Sequence, residues 1–306
     1  MGLVDASRQS LRRMAWVCVA LVLAITTLSA FMRLDKAGLG CEGWPQCYGQ
    51  ALASSPAAAE PAEPTPGIFV ARLSHRVLAV GALLLIVAMV ASCIGARPRR
   101  GGDLLQASAL LLVTLLLALL GRWSARSHLP AISLGNLLGG FLLLALCVRL
   151  AAPGSIRAHG VLRAWVWTAA ALVLLQTGLG GMVSATYSAL SCSALPDCWS
   201  VAEAQSWAAL DPWRVPTLAD GAAANAAGAP VQLLHRVGAM AVLLCCLPLA
   251  VALRRRDTPA AALLLGCLAA QAMLGPLMSA LGFPMALALL HNLLGAATLA
   301  LVARWL

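Results

Sequence analysis

Apolar residues occur in eight long runs along the chain, separated by short or polar segments. Each run is about 20 residues long, the length of helix that crosses the hydrocarbon core of a membrane. The pattern therefore predicts an all-α integral membrane protein with eight transmembrane helices. They are placed at residues 14–32, 68–94, 104–120, 130–150, 162–183, 230–253, 260–281 and 285–303. The third run is short, and the eighth follows a tight turn at 282–284.

The composition agrees with this class. Hydrophobic residues make up 61% of the chain and charged residues 10%, whereas a soluble domain is roughly 45–50% apolar and about 25% charged. These proportions exclude an ordinary soluble domain and imply that membrane lipid surrounds the protein.

The net charge of +10 does not indicate a nucleic-acid partner, because topology explains how the basic residues are distributed. Cytoplasmic loops collect Lys and Arg, and alternate connections are rich in them. One side has thirteen: Arg8, Arg12, Arg13, Arg97, Arg99, Arg100, Arg149, Arg157, Arg163, Arg254, Arg255, Arg256 and Arg304. The other side has five: Arg33, Lys36, Arg122, Arg126 and Arg214. Both termini are therefore expected in the cytoplasm.

Three motifs recur in the same order in residues 1–150 and 151–306. They are Cys-x5-Cys in an outer loop (41–47 and 192–198), His-Arg in the next span (75–76 and 235–236) and Asn-Leu-Leu-Gly in the last span (136–139 and 292–295). The order predicts an internal repeat, with two tandem four-helix bundles that begin on the same side of the membrane. Transporters also use internal repeats, so the repeat does not select a function.

Two cysteine pairs lie in the outer loops. Disulfides persist on that side of a bacterial membrane, so we expect bridges between Cys41 and Cys47 and between Cys192 and Cys198. Metal binding by these cysteines, or a free redox pair, stays open as an alternative. The other six cysteines lie in or beside spans and are expected to be packing residues.

Three histidines lie inside spans, where an ionisable residue is costly and indicates function by default. They are His75, His235 and His291, each about two turns from the outer end of its span. His235 and His291 occupy two even-numbered spans of one half at similar depth. Two neutral imidazoles that face each other across a bundle can bind a heme iron from both sides. The pattern therefore favours a heme between His235 and His291.

Basic residues accompany these histidines. Arg76 follows His75 and Arg236 follows His235, and no Asp or Glu falls within any span. Heme propionates would supply the matching carboxylates, although both arginines are also placed where they can extend to the outer headgroups. His128 begins the fourth span near its outer mouth, either as an interfacial residue or as part of a first-half site.

The sequence is similar to the heme A synthase family over nearly its whole length. The most specific segments are 33–49 and 73–76 in the first half and 176–183, 233–236 and 291–295 in the second. The resemblance implies a bacterial inner-membrane oxidoreductase that oxidises a methyl group of heme O to a formyl group, giving heme A for cytochrome oxidase. Two successive hydroxylations would give a geminal diol that loses water.

The resemblance also implies the site residues. A heme b cofactor would be held in residues 151–306 by His235 and His291, with Arg236 beside it. The substrate heme O would dock in residues 1–150, with its iron at His75, the catalytic histidine, near Arg76. Heme O synthase and cytochrome oxidase assembly factors are the implied protein partners, and a homo-oligomer stays open.

Two positions depart from the family pattern. Many members have an acidic residue three positions before the second-span histidine, where this chain has Arg72, which can hold a propionate but cannot act as a carboxylate. The fourth-span histidine is also missing, because Gly135 or Asn136 occupies its place. His128 lies seven or eight residues earlier, roughly 10–12 Å along a helix, and would replace the ligand only if the substrate sat higher.

These departures leave two other functions open. One is a membrane b-type cytochrome that passes electrons without modifying heme. The other is a heme or small-molecule transporter that uses the interface between the repeats, with no stable heme in the second half.

Overall fold

The computed structural model describes residues 3–39, 41, 43–48, 65–96, 101–124, 127–152, 156–218 and 225–306. Nine α-helices occur within these ranges. They are α1 (Leu3–Lys36), α2 (Pro66–Gly95), α3 (Gly101–Ser124), α4 (Pro130–Ala151), α5 (Gly160–Ala185), α6 (Leu195–Glu203), α7 (Ala229–Leu253), α8 (Thr258–Ala280) and α9 (Met285–Ala303). Every helix except α6 is long and apolar enough to cross a membrane. The predicted all-α fold with eight spans is therefore confirmed.

The helix bounds correct the prediction in two places. The third span is not short, because α3 has 24 residues and its ends include Asp103 and Arg122, polar residues that the apolar run left out. The second outer loop contains the nine-residue helix α6, which the apolar pattern did not predict. Pro196 stands in the first turn of α6, where proline's missing N–H costs nothing.

Local sequence sets several helix ends. Thr65 caps α2, with its hydroxyl accepting from the Ile68 N–H, and Asp257 caps α8 by accepting from the Ala260 N–H. Such caps satisfy N–H groups that have no partner inside the helix. Between α8 and α9, Gly282 and Phe283 both have positive φ angles, +70° and +57°. This left-handed pair produces the tight turn that the sequence predicted.

The long helices pack as two groups of four, called the first half (α1–α4) and the second half (α5, α7, α8 and α9). In the first half each helix packs on the next and α1 packs on α4, which closes a ring. The second half closes in the same way, with α5 packed on α7 and α9. The halves meet through α1 and α4 on one side and α5 and α9 on the other. This is the arrangement expected of a repeat, while the duplication itself stays a prediction.

The packed core lies toward one end of the bundle. We call this end, where α1 begins and α9 ends, the terminal face, and the opposite end the loop face. Apart from Ala158 and Trp305, the buried core residues lie within 11–22, 86–93, 107–110, 141–151, 166–173, 242–253, 260–268 and 296–303. Each of these ranges belongs to the terminal-face part of its helix. The histidines of the spans therefore lie outside the core, in a less tightly packed layer nearer the loop face.

Candidate functional site

His235 and His291 face each other in the second half. Each lies six residues beyond the first residue of its helix, Ala229 of α7 or Met285 of α9, about 9 Å along the axis. Their ring centres are 6.3 Å apart and their planes make an angle of 75°. Among the described residues, no other imidazole pair is in ring contact. α7 and α9 are not adjacent in the ring of helices, so the two side chains meet across the bundle.

A glutamine on α5 fixes His235. The Gln176 amide donates to the His235 carbonyl oxygen at 2.8 Å, and the same nitrogen lies 3.0 Å from Nδ1 of the ring. A neighbouring helix thus contacts both the main chain and the ring of this residue. Such outer contacts orient a metal-binding histidine and tune its basicity.

Two glycines make this close approach possible. A Cβ on Gly180 would lie 2.9 Å from Cε1 of the His235 ring, and a Cβ on Gly238 would overlap Oε1 of Gln176. Neither position tolerates a side chain without movement of the ring or the amide. The Gly-rich segment of α5 is therefore part of the support for His235.

His291 has a matching glutamine. The Gln271 amide on α8 donates to the His291 carbonyl oxygen at 2.8 Å. Nδ1 of His291 and the amide oxygens of Gln176 and Gln271 are buried with no hydrogen-bond partner among the described residues. Buried polar atoms are nearly always paired, so these three atoms have capacity for a ligand or for a change of amide orientation.

The spacing of the two rings fits a shared metal. Metal–imidazole bonds of about 2 Å, with roughly 1 Å more from a nitrogen to its ring centre, put two axial rings about 6 Å apart. The observed 6.3 Å agrees with this value. Within the described part of the chain, no group of three or more His, Cys, Asp or Glu side chains could hold a bare metal ion. A heme needs only two protein ligands, so the pair suits a heme better than a protein-only metal site.

The first half is built differently. His75 is partly buried on α2, and Arg72 and Arg76 are exposed on the same helix. The repeat aligns Gly135 with His291, and a Cβ at Gly135 would lie 3.1 Å from the Leu120 side chain of α3. Leu120 therefore fills part of the space that a histidine would use. Asn136, the neighbouring residue, is partly buried.

His128 lies outside the helices, just before α4, and its side chain is exposed. Lys36 is close by, because its Nζ donates to the Ser127 carbonyl oxygen at 2.7 Å. Desolvation and then the Lys36 ammonium hold the pKa of His128 below its ordinary value. His128 is therefore neutral at neutral pH, as a metal ligand must be, but the structure does not bring its ring into contact with that of His75.

Arg236 is directed to the second outer loop. Its Nη2 donates to the carbonyl oxygens of Cys192 at 3.1 Å and Ser193 at 3.3 Å. The structure joins Cys192 to Cys198, across the start of α6, and Cys41 to Cys47 in the first outer loop. Arg236, the residue after His235, thus connects α7 to the bridged loop.

The two outer loops meet in an apolar group that we call the loop-face cluster. Its buried members are Leu34, Ala37, Leu39, Tyr48, Tyr187 and Ala189. The rings of Tyr48 and Tyr187 are 5.8 Å apart, edge to face. Burial raises the pKa of both tyrosines above the ordinary value, so both stay neutral. The cluster covers the junction of the two halves.

Several site residues escaped the sequence analysis. Gln176 and Asn292 lie in segments 176–183 and 291–295, but the sequence assigns neither a role. Gln271 and Ser184 lie outside those segments and also have no predicted role. The sequence predicts for Arg33 only a position on the outer side of the membrane. In the structure its guanidinium donates to Ser184 and Asn292 of the second half. A polar residue within a span was the one available signal, because the sequence does not show which helix faces which.

Comparisons with known proteins cover both halves of the chain. The COX15-CtaA family, described as cytochrome oxidase assembly protein, matches residues 12–303. The heme A synthase of Shewanella oneidensis is 28% identical over 301 residues, covering 90% of this chain and 89% of that protein.

Proposed function

Because the chain belongs to the COX15-CtaA family of cytochrome oxidase assembly proteins, we propose that it is a heme A synthase. In this proposal it is an oxidoreductase that converts a methyl group of heme O to a formyl group. The similarity to the heme A synthase of Shewanella oneidensis supports the reaction. The facing imidazoles of His235 and His291 are the observation that carries the proposal, because an oxidation needs a redox centre.

In this proposal the second half holds heme b. His235 and His291 would hold its iron, and Gln176 of α5 and Gln271 of α8 would keep these two residues in place. When bound, the heme supplies a one-electron redox centre.

Gln176 would orient His235 for this role. Its amide nitrogen donates to the His235 carbonyl oxygen at 2.8 Å and lies 3.0 Å from Nδ1 of the ring. Contact with both the main chain and the ring restricts rotation of the imidazole, and such outer contacts hold a metal-binding histidine in place.

The first half receives the substrate. His75 would contact the iron of heme O, and the exposed guanidinium groups of Arg72 and Arg76 would bind propionates at the loop-face end of α2. Gly135 or Asn136 stands where the family pattern has a second histidine, so His75 would be the histidine that this half supplies to the substrate iron. Asn136 and His128 would also belong to this substrate heme site.

Heme extraction from cells that make heme O tests the proposal. The cells are compared without the protein, with the intact protein, and with the His75→Ala or His235→Ala variant, and the pigments are separated by chromatography. We expect heme A only with the intact protein, because each variant removes one of the two heme sites.

His159→Ala is the matched control, because His159 is exposed and precedes α5 at the terminal face. This variant should still produce heme A. Conversion that persists in His235→Ala would contradict the assignment of the redox site.

A membrane b-type cytochrome is the second candidate, favoured by two features of the first half. The packing of Leu120 on Gly135 and the absence of a carboxylate at position 72 make the first half unlike a two-ligand heme site. A cytochrome would carry heme b at His235 and His291 and leave heme O unchanged in the same extraction.

Cellular placement follows from the same function. The protein would be a multi-pass protein of the bacterial inner membrane with both termini in the cytoplasm. Heme O synthase would deliver its substrate, and cytochrome oxidase assembly factors would take its product.

A further inference from the structure

Arg33 lies where the two halves meet, near the loop-face end of α1. Its Nη1 donates to Ser184 Oγ of α5 at 2.6 Å, and its Nη2 donates to Asn292 Oδ1 of α9 at 3.0 Å. Both partners are neutral, so neither bond compensates the guanidinium charge. An arginine has five N–H donors, and these two bonds leave donors for a further acceptor.

Arg33 is partly buried, and the loop-face cluster lies next to it. Leu34 and Ala37 of α1 belong to the cluster and lie nearer the loop face than Arg33. Val183, beside Ser184, and Leu289, a turn before Asn292, pack against the same cluster. A cation in such surroundings is costly unless an anion accompanies it. Among the described residues, the salt bridge joins Arg304 to Asp257 at the terminal face, far from Arg33 along the membrane normal.

The anion that fits is a carboxylate at the edge of a porphyrin. Asn292 follows His291 on α9, and successive helix residues point about 100° apart. The same turn of α9 therefore presents the imidazole to α7 and the amide to Arg33. The Arg33 guanidinium bonds to Asn292 and so lies at about the depth of His291, where a porphyrin held by His291 would present its edge. The fork of a guanidinium matches a carboxylate with two parallel hydrogen bonds.

We propose that Arg33 binds a propionate carboxylate of a porphyrin at the junction of the two halves. The porphyrin itself rests on the proposed function. Ser184 and Asn292 hold the guanidinium in place, so that its remaining N–H groups point to the carboxylate. The source is either heme b of the second half or the substrate heme of the first half, since α1 belongs to one half and both partners of Arg33 to the other.

Binding of a heme and of its dimethyl ester tests this directly. The full chain, in lipid nanodiscs and depleted of heme, is titrated with ferric protoporphyrin or its dimethyl ester, and absorbance gives each Kd. Arg33→Gln should weaken the free acid about 10- to 100-fold, the range for a lost hydrogen bond to a charged group. The ester has no carboxylate, so Arg33→Gln should leave its Kd unchanged. Arg33→Lys keeps the charge and should recover part of the difference.

Arg122→Gln is the matched control, because Arg122 is also an outer-end arginine but is exposed on α3. This variant should bind both compounds like the intact protein. A His235→Ala background assigns the source. If the Arg33-dependent preference for the acid disappears there, the carboxylate belongs to heme b, and if it persists, it belongs to the first-half porphyrin.

Equal weakening of acid and ester by Arg33→Gln would overturn the proposal and make Arg33 a structural residue. No change in either Kd would overturn it as well. Turnover is measured separately, so the two proposals fail independently. If the protein prefers the free acid but does not convert heme O, the synthase proposal is wrong. If it converts heme O without that preference, only the role of Arg33 is wrong.

Discussion

At the scale of single residues, the second-half site depends on side chains that are absent as much as on those present. Gly180 and Gly238 leave room for the His235 ring and the Gln176 amide. An added methyl group forces displacement of well-packed neighbours and costs about 1–3 kcal/mol. Here the displaced neighbour is the imidazole that we propose as an iron ligand, so the cost should appear in heme binding as well as in stability.

Gly180→Ala is therefore expected to reduce the heme b content of the purified protein severalfold, because the new Cβ would displace the His235 ring from its present position. Pyridine hemochrome absorbance measures the content. Gly178→Ala is the control, since its Cβ would meet Leu138 only at 3.9 Å, an ordinary contact. Equal heme content in both variants would show that the ring has room to spare.

The sequence predicted the histidine pair but not its support. His235 and His291 stood out because an imidazole is rare in an apolar span, and their depths from the helix ends were readable. Gln176 and Gln271 act through helix neighbours, α5 on α7 and α8 on α9, and the sequence does not give those neighbours. For Arg33 the sequence predicts only a position on the outer side, because its partners Ser184 and Asn292 are 151 and 259 residues away in the chain.

At the scale of elements, apolar length located eight helices, and polar chemistry located their ends less well. α3 extends past its apolar run, and α6 is too short and too polar for a hydropathy pattern to reveal. Hydrogen bonds inside the bridged loop stabilise α6, since Asp197 accepts from the Ser193 N–H and hydroxyl. These bonds hold the pKa of Asp197 below its ordinary value.

Asp257 links two elements at the terminal face. One carboxylate oxygen caps α8 at the Ala260 N–H, and the other pairs with Arg304 Nε at 2.6 Å. Asp257→Ala should destabilise the protein by about 1–2 kcal/mol, mostly through the lost cap. Tryptophan fluorescence during heating would show a lower unfolding temperature.

Asp257→Asn separates the two contributions, because asparagine caps helices well but has no charge. It should unfold between the intact protein and Asp257→Ala. If Asn and Ala behave alike, the ion pair matters more than the cap.

At the scale of the whole molecule, the two halves share a ring-like packing but differ in what they can bind. The second half has two facing imidazoles, and the first half has His75 on α2 and Gly135 on α4 beside the Leu120 side chain. The basic residues predict that the terminal face is cytoplasmic, although Arg97, Arg99 and Arg100 lie outside the described residues.

A reporter fused after Leu306 tests this orientation. Green fluorescent protein folds only in the cytoplasm and should fluoresce there, whereas alkaline phosphatase at the same position should be inactive. A second pair of fusions in the second outer loop, after Asp211, should give the reverse result. Active phosphatase after Leu306 would contradict the predicted orientation and place the C-terminus outside the cytoplasm.

The position of the core has a consequence for how the protein can change over time. Most of the buried apolar core lies toward the terminal face, and the residues that we propose as ligand-binding lie toward the loop face. Substitutions such as Arg72 and Asn136 therefore fall where they alter chemistry without undermining the fold. Such a division lets a lineage exchange one ligand set for another, or lose one of two sites, while the same scaffold persists.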